Sequence, residues 1–77
     1  MTYKRKIAAK LPDTDQYFVK ETTRPNVNWC VMARLTDDDQ WRAMHWFANH
    51  HAAKTKANWW QTRGFQTAVI HTQNWAG

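Results

Sequence analysis

Cysteine is nearly missing from this chain. Cys30 is the single one among 77 residues, so no disulfide can form within the chain. Glycine and proline are scarce, two of each. That excludes a flexible Gly/Ser/Pro linker and points to a chain ordered nearly throughout. No apolar run is long enough to cross a bilayer, and no internal repeat is present. The basic start, residues 1–6, leads into no apolar signal-peptide core, and a lone thiol without an export signal is expected of a reducing cytoplasm. No Cys/His cluster has the spacing of a structural zinc site, and no motif is specific enough to name a reaction or a cofactor. The expectation is a single domain, residues 1–77, that binds something and is not an enzyme.

What the chain does have is tryptophan and positive charge. Six tryptophans offer large apolar area to a domain otherwise too short for a sizeable core. The net charge is +5 and the pI about 9.8. That balance favours an acidic partner: nucleic acid, an acidic protein surface or an anionic membrane surface. Residues 1–34 carry seven basic and three acidic side chains, and residues 35–77 carry four and three. Charge is therefore concentrated in the first half.

Period-2 patterning predicts strands over residues 3–11 and 16–21, separated by the turn signal Pro12-Asp13-Thr14-Asp15. It is strongest over residues 27–35. There Val27, Trp29, Val31, Ala33 and Leu35 share one face, and Asn28, Cys30, Met32 and Arg34 the other. Thr36 with Asp39 has the form of a capping box, and three aspartates suit the first turn of a helix dipole. A long helix over about residues 37–63 is therefore expected, ended by Gly64. A last strand follows over residues 65–72. The fold predicted is α+β: a small antiparallel sheet of three to four strands in the order β-β-β-α-β, with one long helix on one face.

On such a helix Trp41, Met44, Ala48, Ala52, Thr55 and Trp59 would form the stripe against the sheet. Trp46, His50, Ala53, Ala57 and Trp60 would form a second apolar stripe more than a quarter turn away. The second stripe, with the basic residues beside it, defines a candidate partner surface: Arg42, Trp46, His50, Lys56, Trp60 and Arg63. Its occupant would be a larger protein or a second copy of the chain. Burial of both stripes, the second under the N-terminal strand or Trp75, is the structural alternative.

A second candidate surface is the basic N-terminal strand, Lys4, Arg5, Lys6 and Lys10, with Tyr3 beside it. Lysine and arginine there would contact phosphates, and exposed rings would stack on unpaired bases. A third reading is a metal-free ribonuclease. In it His50 or His51 acts as base, and Lys54, Lys56 or Arg63 steadies the developing charge. The aspartate run Asp37-Asp38-Asp39 reads as a helix start rather than a metal site. Adjacent His50 and His51 point too far apart on a helix to chelate one metal, and Cys30 reads as structural.

The organisation resembles that of many small phage-encoded proteins that bind and disable host machinery. That likeness is one of layout without a shared motif, and it carries no site residues. The leading expectation is a phage- or mobile-element-encoded cytoplasmic inhibitor that occludes a host complex handling nucleic acid. Direct nucleic-acid binding and a ribonuclease toxin are the alternatives.

Overall fold

The computed structural model describes residues 4–75. Six strands and one helix follow in the order β1 (Arg5–Lys10), β2 (Tyr17–Thr22), β3 (Trp29–Arg34), β4 (Arg42–Phe47), α1 (His50–Gln61), β5 (Gln66–His71) and β6 (Gln73–Asn74). They form two three-stranded antiparallel sheets, ordered β2-β1-β6 and β4-β3-β5. The α+β class, with one helix packed on a small antiparallel sheet, is as the sequence predicts. The number of strands and the extent of the helix are not.

β3 organises the core because both of its faces are apolar. Val31 packs with Ala53 and Ala57 of α1, and Trp29, Phe47, Trp60 and Val69 close around them. Cys30 and Met32 face the other way, onto Ala9 and Leu11, with Phe18, Trp41, Ala43, Trp46, Ala68 and Ile70 around that cluster. The result is three layers: α1, the β3 sheet and the β1 sheet. The two central alanines let α1 sit close to its sheet. Residues 30–33 are all buried, so the even positions of this strand also line a core.

The helix begins at His50, far beyond the aspartate run that suggests its start. Thr36 and Asp39 make one of the two capping-box bonds, the Thr36 amide donating to Asp39 Oδ2 at 2.9 Å, while Thr36 Oγ1 accepts from the Asp38 amide and the Asp39 amide donates to the Thr36 carbonyl. These bonds close the β3–β4 turn instead of a helix. Asp37 also accepts from Gln66 and lies 3.6 Å from Arg34. The actual N-cap is Asn49, whose Oδ1 accepts from the His51 and Ala52 amides.

The helix-like spacing ahead of His50 comes from a β-bulge. β3 pairs Val31 with His45 and Met32 with Ala43, which leaves Met44 as an extra residue on β4. The step from Ala43 to Trp46 on one face is therefore three residues, the spacing of a helix. Trp41, Trp46 and Phe47 supply the aromatic content that strands favour.

The punctuation at both ends of the chain follows the sequence. Asp13 has φ 60° in the predicted turn, and Gly64 has φ 88° just beyond the helix. There the Gly64 amide bonds the Gln61 carbonyl and the Phe65 amide bonds that of Trp60. After β5, the buried Thr72 donates its hydroxyl to the Val27 carbonyl, and its amide bonds the Asn28 carbonyl. This bend sends the chain across to the other sheet, where β6 pairs with β1. Leu35, expected on the core face of β3, is exposed just past the strand end.

A candidate basic and aromatic binding track

The six residues expected on one helix face divide among three places. Arg42 and Trp46 belong to β4; His50, Lys56 and Trp60 belong to α1; Arg63 follows the helix. Of the second apolar stripe only Trp46 falls outside α1; His50, Ala53, Ala57 and Trp60 share the helix, and this is the face that packs on the β3 sheet rather than an open one. His50 lies against Trp29, with ring centres 4.2 Å apart. Trp60 turns inward onto Val31 and the helix alanines, and meets Trp59 and Phe65 edge to face. Trp46 points to the other core, beside Cys30.

The basic N-terminal strand keeps only part of its expected row of charge. Alternation sends Arg5 to the side opposite Lys6 and Lys10. Arg5 is tied down: its guanidinium donates to the carbonyls of Arg24 and Pro25 at 3.2 and 2.6 Å, and to Asn74. Lys4 lies 3.9 Å from Glu21 and Lys10 lies 4.0 Å from Asp15. Tyr3 lies outside the described residues. Lys6 is exposed on the outer face of the β1 sheet, near which Trp75 packs on Tyr17 at 5.5 Å.

A different set of residues comes together along β4 and α1. Gln40 to Gly77 contains four basic residues and no acidic one; the three aspartates that balance this half are held in the β3–β4 turn. Three tryptophans each carry a cation. Lys20 Nζ lies 5.8 Å from the Trp46 ring centre and the Arg34 guanidinium carbon 4.3 Å from that of Trp41. Trp59 carries two, Lys56 at 4.4 Å and Arg63 at 3.4 Å, and the residue is 39 % exposed.

Two open grooves connect these pairs. One, of about 710 Å³, lies at the edge where β2 faces β4, and Lys4, Lys20, Arg24 and Trp46 line it. The other, of about 830 Å³, is lined by Arg34, Trp41, Arg42, Trp60 and Phe65. Met44, the bulged residue, borders both. Trp59 adjoins the second groove through its contact with Trp60. The bulge therefore splits one strand edge into two adjoining basic, aromatic hollows. Lys20, Arg24, Arg34, Trp41 and Trp59 do not stand out as site residues in the sequence. For Trp41 and Trp59 the signal is the absence of acid after Asp39; Lys20, Arg24 and Arg34 precede it and have no such signal.

Two titratable groups are displaced. Burial pushes the Cys30 thiol up to about 12, against a smaller opposite pull from Lys20. It is fully buried and remains a thiol, which suits a packing role. His45 is lowered, first by burial and then by Lys56. Its Nε2 and Trp60 Nε1 are buried without a hydrogen-bonding partner, the two rings 6.1 Å apart.

Among the described residues no three His, Cys, Asp or Glu side chains are grouped to hold a metal ion, and no helix is long and apolar enough to cross a membrane. His51, at the start of α1, and Lys54 are exposed, and His50 is engaged with Trp29. Comparison with protein-family models, curated proteins and solved structures gives no match.

Proposed function

We propose that this protein is a non-enzymatic, cytoplasmic binder of single-stranded nucleic acid, and that its contact surface is the track along β4 and the end of α1. The observation that carries this reading is that Trp46, Trp41 and Trp59, all on the stretch of chain without acid beyond Asp39, each lie against a cation, two of these cations being Lys20 and Arg34 from the preceding strands. Lysine and arginine neutralise phosphates and release counterions, while exposed rings stack on unpaired bases of any sequence. A duplex hides its base faces, so tryptophans add nothing to a duplex contact that arginine alone would not supply. This transfers the nucleic-acid role from the N-terminal strand to the track.

The test is a comparison of two charge-neutralised variants. Replacing Arg42, Lys56 and Arg63 with Gln is expected to weaken binding of a fluorescent oligothymidylate. The slope of log affinity against log salt should also flatten, by about 0.7 for each phosphate that is no longer neutralised. Replacing Lys6 and Lys10 with Gln is expected to leave both near wild type. The opposite ranking returns the role to the N-terminal strand.

The occlusion of a host protein complex, by an inhibitor of phage or mobile-element origin, stands as a second reading. What favours it now is β2, an edge strand on which Tyr17 and Val19 are 37 % and 45 % exposed. An open edge with apolar side chains is suited to strand addition by a protein partner. Capture from bacterial lysate with and without nuclease separates the two. A stoichiometric protein that survives nuclease supports occlusion, and loss of all captured material supports the track.

A further inference from the structure

The groove between β2 and β4 differs from the second groove in its rim, which carries Lys4, Lys20 and Arg24. Its volume, about 710 Å³, falls within the range of roughly 300–1,000 Å³ typical of small-ligand sites. Its floor is apolar: Val27 is buried, and Met44 and Trp46 are half-buried. Its rim is basic. Lys4, Lys20 and Arg24 stand against the single acid Glu21, itself beside Lys4. The rim also offers the Thr23 hydroxyl and the exposed Arg24 side chain. The Arg24 backbone is fixed, since its amide donates to Thr22 Oγ1 and its carbonyl accepts from Arg5. An apolar aromatic floor under a basic rim is complementary to a flat heteroaromatic ring carrying a phosphate.

We infer that this groove is the subsite for one unpaired nucleotide, with its base laid on the Trp46 indole and its phosphate held between Lys20 and Arg24. The inference rests on the single-strand reading and deepens it: the hollow takes a nucleotide out of the strand, while Trp41 and Trp59 carry its neighbours. Lys20, 5.8 Å from the ring centre, is near enough to meet the phosphate of a base stacked there, and a loosely held ammonium moves to do so at little cost. Arg5 takes no part, because its guanidinium is consumed in holding the rim.

The tryptophan indole N–H signals report this by NMR, with that of Trp46 assigned through Trp46→Phe. Thymidine 5′-monophosphate, thymidine and a 12-residue oligothymidylate are titrated into the wild-type chain and into Lys20→Gln and Arg24→Gln. These two surface changes leave the backbone bonds of the rim intact. The expected result is a Trp46 shift with the monophosphate and the oligomer, weakened about tenfold at low salt in each variant, and a much smaller response to thymidine. If the oligomer moves the Trp59 signal but not that of Trp46, and both variants bind as wild type, the subsite is refuted while the track stands. If the oligomer moves no indole signal at all, the track reading falls; a Trp46 response to the monophosphate then still supports the groove, and its absence removes both.

Discussion

The Arg63 guanidinium carbon lies 3.4 Å from the centre of the Trp59 ring, and Lys56 Nζ reaches the same ring at 4.4 Å. Arg63 also donates to the Trp59 carbonyl, so the helix end fixes the cation and the ring as one unit. Trp59→Ala is expected to weaken binding of a single-stranded oligomer by the stacking worth of one base, about 1–3 kcal/mol. Because the ring is substantially exposed, thermal unfolding is expected to move little. A large loss of melting temperature in this variant would instead make Trp59 a packing residue.

Asn49 and Thr36 separate the observed helix from the longer one. Asn49→Ala removes the acceptor for two helix-start amides and is expected to cost about 0.5–2 kcal/mol. Amide exchange should quicken over the first turn of α1 and not over residues 37–41. Exchange that quickens over residues 37–41 on changing Asn49 would contradict the boundary.

Gly64→Ala probes the turn out of α1. Nothing lies within 4 Å of the added methyl, so no clash arises. The cost is that of φ 88° for an L-residue, about 1 kcal/mol. For a domain of this size that lowers the melting temperature by roughly 4–8 °C.

His45 gives stability a pH dependence of known sign. Its folded value lies below the ordinary 6.5, through burial and then Lys56. The unfolded chain therefore binds more protons at mildly acidic pH. This contribution is complete above about 6.5 and is lost as pH falls below it. His45→Phe keeps a ring beside Phe47 and Trp60 and is expected to flatten that part of the profile. Chemical denaturation across pH 5–8 reads the difference (roughly the window in which histidine titrates).

Cys30 is fully buried, with its thiol pushed up to about 12. Aromatic disulfide reagents are expected to leave the native chain unlabelled and to react on unfolding, at a rate that follows denaturant. Rapid native labelling would contradict the packed β3 sandwich.

The elements legible in the sequence are those whose pattern is local. Alternation around Val31, the turn at Asp13 and the stop at Gly64 each depend on neighbours in the chain. β4 is hidden by Met44, since a single bulged residue changes a two-residue period into the three-residue step of a helix. Thr36 and Asp39 add to the ambiguity, because the bonds that cap a helix also close a turn. Two strands of the second sheet, β1 and β2, are legible, but their separation from the β3 sheet is not, because it depends on the long-range pairing of β1 with the two-residue β6. The site is obscured for a related reason: Asp37, Asp38 and Asp39 offset the charge of the second half and mask the acid-free stretch of chain that follows them.

The most direct measurement is the anisotropy of one labelled 12-residue strand, free and as a duplex with its complement, titrated at two salt concentrations. Preference for the free strand, lost in Trp59→Ala and steep in salt, is the predicted result. Equal affinity for strand and duplex, or no salt-dependent binding to either, would contradict the account.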